Sequence, residues 1–318
     1  MTTTLDPTLP DNEQRADRFG DLLARLSRQS VDKHFDAYAD IDWDHPDNAI
    51  DPADPRWELW PDSPLGATAW YRALPQETRA RIGLHGIVAN MKAGLQFENV
   101  LKRGLLTYAF GLPDGSPEFR YVYHEVIEEA QHSLMFQEFV NRAGLEAPGM
   151  PWDLRLGSGR VVALAKRSPV LFFVSVLGGE DPIDHVQRGL LRSGRELHPL
   201  TERIMRIHVT EEARHLSFAR SYLRTHVPDL PRRERAAIRV EAPLLLSQAA
   251  RVMMQPPRTL VRTYAIPRDA LREAFGPGSA GRQEVRDSLR KIRTLLSEVG
   301  LVTPASRRLW RRLGLWDD

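Results

Sequence analysis

Two nearly identical words stand out in the chain, EEAQH at 128–132 and EEARH at 211–215. Each sets a glutamate three residues before a histidine, Glu129 with His132 and Glu212 with His215. Residues three apart on a helix project within about 60° of each other, so carboxylate and imidazole can reach one metal ion together. A single Glu-x-x-His occurs on many solvated helices. Two on separate helices point to a bundle with a dinuclear carboxylate site, where each of the other two helices adds a lone glutamate. One stands upstream of each motif: Glu98, in GLQFENVL, lies 31 residues before Glu129, and Glu180, in LGGEDPIDH, lies 32 before Glu212. The lone glutamates are 82 residues apart and the motifs 83, so the chain reads as a twofold repeat.

Glu98 sits among Leu95, Phe97 and Leu101, where an unpaired carboxylate is expensive to bury. The bland alternatives are a glutamate that reaches solvent or pairs with Lys102. Glu180 has competition from Asp181, which gives the spacing of 31. The longer side chain, directly after the apolar run, is preferred. Pro182 removes a backbone hydrogen bond beside it, so a kink or bulge is expected there. Asp181 and Asp184 are then placed to orient a ligand imidazole. His208 lies four residues before Glu212 on the same stripe, a third imidazole facing the metals; its bland reading is a core histidine with one hydrogen bond. Glu125 holds the matching position in the first half and is read as a supporting residue. Glu128 and Glu211 point off their partners by about 100° and 60° and are read the same way. The expected ligands are therefore Glu98, Glu129, His132, Glu180, His208, Glu212 and His215, with Glu125, Asp181, Asp184 and Glu211 around them.

Carboxylates and imidazoles without sulfur suit two iron ions, with manganese as the other choice. The 318-residue chain has no cysteine, which removes thiolate sites, Fe–S clusters and disulfides. Net charge is only +2, giving no case for a nucleic-acid partner, and Arg far outnumbers Lys among the 44 basic residues, as a GC-rich genome would produce. The most apolar stretch, VLFFVSVLGG at 170–179, is too short to span a bilayer. The N-terminus shows no basic region followed by an apolar core, so a cytoplasmic protein is expected.

Helices must position these groups. An amphipathic one is expected over 14–30, with Phe19, Leu22, Leu23 and Leu26 on one stripe. Residues 40–66, dense in Pro, Asp and Trp, read as an ordered loop packed on the surface. Long helices follow over about 76–110, 117–143, 169–193, 199–226 and 231–254, two of them opening at Ser116-Pro117 and Ser168-Pro169. Shorter ones are expected at about 268–275, 281–299 and 304–314. No alternating β-branched run appears, so the fold class is all-α: one domain over 1–318, its bundle core about 75–255, with additional helices before and after.

The ligand set, with His208-x-x-x-Glu212-x-x-His215 at its centre, resembles that of the p-aminobenzoate N-oxygenase family of non-haem di-iron proteins. The third histidine separates that family from acyl-carrier desaturases, ribonucleotide reductase small subunits and multicomponent monooxygenases. The likeness covers roughly residues 75–255, and the DIDWDHP loop also fits. It implies a ferritin-like four-helix bundle, usually a homodimer. It also implies Glu98, Glu129 and His132 on one iron with a bridging carboxylate, and Glu180, His208, Glu212 and His215 on the other. The implied activity is oxidation of an arylamine to hydroxylamine, nitroso or nitro, using O2 and electrons from an external donor or reductase; the small-molecule substrate's own contacts are not assigned. Competing readings are a di-iron desaturase or C-hydroxylase of an acyl or aromatic substrate, and a ferritin-like iron-handling protein. The Arg-rich tail at 306–316 is read as a helix docked on its own bundle.

Overall fold

The computed structural model describes residues 12–316. Among them there is no strand. Helix α1 (Asn12–Asp32) buries the expected stripe of Phe19, Leu22, Leu23 and Leu26. After it come 3-10 turns at 46–48 and 55–57, each started by Pro and capped by a side chain, His45 and Asp54. This loop is more than a surface strap. Trp57 is only 1% exposed, stacks on His198 at 4.1 Å and meets Phe139 edge-on. Gly83 lets the turn approach, because a Cβ there would run into the Trp57 carbonyl.

A short helix α2 (Ala69–Arg72) leads into the long helices α3 (Gln76–Ala109) and α4 (Pro117–Ala143), which pack against each other. Helices α5 (Trp152–Arg167), α6 (Pro169–Arg192), α7 (Pro199–His226) and α8 (Arg232–Met254) follow. The pair α6 and α7 faces the pair α3 and α4, through contacts of α3 with α6 and α4 with α7. At one crossing Gly104 of α3 leaves room for Phe172 of α6, whose ring a Cβ would strike. Helix α1 lies across α4 and α7, and α5 across α3 and α6. The C-terminal helices α9 (Arg258–Thr263), α10 (Arg268–Phe275), α11 (Ala280–Ser288), α12 (Arg290–Glu298) and α13 (Pro304–Arg312) cover the flank of α3, α6 and α8.

Several expectations change. Helix α5 was not foreseen: its sequence, WDLRLGSGRVVALAKR, carries two glycines, and Ala165 is its one buried residue. The helix expected over 281–299 is two, divided at Leu289. Ser116 and Ser168 stand at the helix starts but make no side-chain cap to backbone; their hydroxyls bond the side chains of Glu118 and Glu234 instead. Helix α6 continues without interruption through Pro182. The Arg-rich tail docks as expected, with Trp310 and Leu315 buried in the main apolar cluster.

Candidate metal centre

All seven expected ligands are buried, none more than 4% exposed, on the inner faces of α3, α4, α6 and α7. They fall into three overlapping groups whose ligand atoms lie within 4.8 Å of one another: Glu98, His132 and His208; Glu129, Glu212 and His215; Glu180, His208 and Glu212. These groups cut across the division implied by the resemblance, because His208 meets residues from both halves. Its Nε2 is 3.9 Å from Glu98 Oε1 and 3.8 Å from Glu212 Oε1. His215 Nδ1 lies 3.0 Å from both Glu129 Oε1 and Glu212 Oε1. His132 Nδ1 lies 3.5 Å from Glu129 Oε2 and 3.6 Å from Glu212 Oε1.

The other nitrogens of two imidazoles are held in a crossed pattern. His132 Nε2 pairs with Glu211 Oε2 at 2.9 Å, and His215 Nε2 pairs with Glu128 Oε2 at 2.8 Å. The first glutamate of each EEA word thus grips the histidine of the other word. Such an outer carboxylate fixes the tautomer and the ring plane of a metal-binding imidazole. Arg214, itself buried, joins the two grips, 2.7 Å from Glu128 Oε1 and 3.5 Å from Glu211 Oε1. Gln131, at the position corresponding to Arg214, turns outward to the loop after α1. It accepts from the Ala37 backbone N–H and donates to Asp36. In the same loop the Phe35 N–H donates to Glu211 Oε1 at 3.1 Å.

The aspartates beside Glu180 point elsewhere. Asp181 pairs with Arg220, and Asp184 with Arg188 and Lys291, rather than with an imidazole. Glu125 is fully buried, and neither of its oxygens has a hydrogen-bond partner. Lys102 does not pair directly with Glu98; it reaches it through Ser133. Arg214, Gln131 and Ser133 are thus the neighbours that spacing alone did not place, and Glu128, read as a supporting residue, finds its partner on the other half. The one visible signal for the crossed grip was the doubled glutamate in each word.

The electrostatics call for a cation. Burial pushes Glu98 up to about 8, with Glu129 adding to it. Burial raises Glu180 well above the usual carboxylate range, with Glu212, Glu129 and Glu98 nearby. It holds His208 well below an ordinary imidazole, with His132 adding to the effect. Without a cation the two carboxyls favour their neutral forms, a preference that metal ions would reverse, while the neutral His208 is already the form that binds a metal. Unsatisfied atoms agree: both Glu129 oxygens, Glu98 Oε1, Glu212 Oε2 and His132 Nδ1 are buried without a hydrogen-bond partner. Buried polar atoms are otherwise almost always paired. The residues fit a pair of hard metal ions held by mixed oxygen and imidazole donors.

Residues 17–300 match the family described as P-aminobenzoate N-oxygenase AurF. The chain belongs to the p-aminobenzoate N-oxygenase family. That family is ferritin-like, all-helical and di-iron, in agreement with the bundle and the carboxylate–imidazole clusters. Among curated relatives, the chain is 44% identical to Uncharacterized protein Rv0885 of Mycobacterium tuberculosis (strain ATCC 25618 / H37Rv) over 291 residues, 92% of this chain and 86% of the relative. The same figures hold for Uncharacterized protein Mb0909 of Mycobacterium bovis. No solved structure matches the chain. Like the relatives' names, the family match leaves the substrate open. Among the described residues no helix is long and apolar enough to cross a membrane.

Proposed function

We propose that the chain is an N-oxygenase that oxidises an arylamine to the hydroxylamine and onward to nitroso or nitro. Glu98, Glu129, His132, Glu180, His208, Glu212 and His215 hold two iron ions. The observation that carries this reading is His208: a third buried imidazole between the two halves, its Nε2 facing Glu98 and Glu212, in a chain of this family. Iron bound there would supply O2 activation. In the first oxidation one oxygen atom goes to the amine nitrogen and the other leaves as water. Two electrons and two protons come from an external donor.

The chain's own part is to orient and to exclude water. Glu128 and Glu211 keep the Nδ1 atoms of His215 and His132 turned inward. Phe136, against His132 and His208, closes one side of the centre to solvent. Two copies pair in this reading, supported by an exposed apolar stripe on the outer face of α4. Phe119, Tyr123 and Ile127 lie there beside Phe110, which is 94% exposed, at the edge of a groove of about 900 Å³. Patches of this kind mark association surfaces.

The test is iron content together with product analysis on iron-loaded protein given O2, a reductant and a panel of arylamines. About two irons per chain and hydroxylamine or nitro products are expected. His208→Ala should lose most of that activity. Iron binding with hydroxylation of carbon, or with no loss in His208→Ala, would overturn the N-oxygenase assignment.

A further inference from the structure

Glu98 presents its two oxygens to different surroundings. Oε2 accepts a hydrogen bond from the Ser133 hydroxyl at 2.7 Å. Oε1 is buried without a hydrogen-bond partner and faces His208 Nε2. Ser133 in turn lies 2.5 Å from the Lys102 ammonium, which also donates to the Glu129 carbonyl at 2.9 Å. The direction of this chain is fixed by chemistry. An ammonium has only hydrogens to give, so Ser133 accepts from Lys102 and its single hydroxyl hydrogen goes to Glu98.

We infer that Ser133, braced by Lys102, is a positioning residue that makes Glu98 a terminal, one-oxygen ligand. The hydroxyl draws charge from Oε2 and fixes the carboxylate plane, which favours Oε1, the oxygen without a partner, as the metal donor. The brace ties both helices of the first half together: Lys102 lies one turn after Glu98 on α3, and Ser133 directly follows His132 on α4. The second half has no equivalent. At the repeat offsets, Ser133 corresponds to the buried Leu216, and Lys102 to Asp184, which is taken up by Arg188 and Lys291. Among the described residues no hydrogen bond or ion pair is made to the Glu180 carboxylate.

The inference rests on the metal-centre reading, and cobalt(II) titration of the whole chain separates the two. Cobalt(II) binding is followed by uptake and by its visible bands, in wild type, Ser133→Ala, Ser133→Thr and Lys102→Met, each checked for helix content. Wild type should take up two ions. Ser133→Ala should weaken one of the two binding steps by about 10–100-fold, as loss of an outer partner does. It should also change band intensity as Glu98 adds its second oxygen. Ser133→Thr should restore both, and Lys102→Met should shift the same step less. Two unaltered steps and an unaltered spectrum in Ser133→Ala would overturn the inference alone. So would a folded Ser133→Thr that behaves like Ser133→Ala, since that would make the effect one of packing. Should Ser133→Ala fail to fold, unaltered binding in Lys102→Met would overturn it. No cobalt uptake by wild type would overturn the metal centre and the brace with it.

Discussion

On α3 and α4, Glu98 is pinned through one oxygen and Glu125 is buried without a hydrogen bond; on α6 and α7, Glu180 is unpinned and His208 holds the position that matches Glu125. The two halves share the Glu-x-x-His word and the outer glutamate that reaches across to the opposite imidazole. They differ where a ligand meets its surroundings. A twofold scaffold can therefore hold two metals while treating them differently, with the asymmetry placed one residue outside the shared motif.

The strongest way to break the comparison is to remove a group both halves use. Glu212 falls in two of the three ligand groups. Glu212→Ala should take iron content from about two per chain to near none, measured by metal analysis after loading and desalting. An equal loss from Glu98→Ala and Glu180→Ala would show that the halves are interchangeable.

Stripping the metal from loaded wild type should come next in size. The buried carboxylates would then lose their counter-ions, and a ligand held a hundredfold above its dissociation constant contributes about 2.7 kcal/mol. The thermal midpoint should fall by on the order of 5 °C. An unchanged midpoint would mean that the acidic cluster satisfies itself without metal.

A smaller effect sharpens the crossed grip. Glu128→Gln should weaken metal binding by about tenfold, and a double-mutant cycle should couple it to His215 of the other half rather than to His132. Coupling to His132 would contradict the geometry. Smallest at the centre should be Ile127→Lys on the outer stripe. Iron content should stay the same, while the mass in solution falls from dimer to monomer by light scattering.

The buried Glu and His cluster was readable because its information is local: three- and four-residue spacings, repeated at a fixed offset. The long helices were readable for the same reason, through apolar periodicity and Ser-Pro starts. What joins the halves is not local. Ser133 meets Glu98 across two helices, and Glu128 meets His215 from a position that a helical wheel reads as turned away. The wheel was sound, but it had no second helix to place in that direction. Asp181 and Asp184 looked like imbedded partners for an imidazole because they flank Glu180; packing instead gives them Arg220, Arg188 and Lys291. The break at Leu289 has no Gly or Pro to announce it, and α5 carries two glycines and leaves Trp152 and Leu156 exposed.

The loop after α1 has one more consequence. Its Phe35 and Ala37 amides fasten to Glu211 and Gln131, one residue from each repeated word. All seven candidate ligands come from helices that begin after residue 75, yet two of the words' side chains are held from before it. Excised at that point, it would keep every donor atom and lose the clasp that spans both words, leaving Glu211 without an amide and His132 with a looser hold. A portable version of this centre that keeps the clasp is therefore one that carries its N-terminal arm.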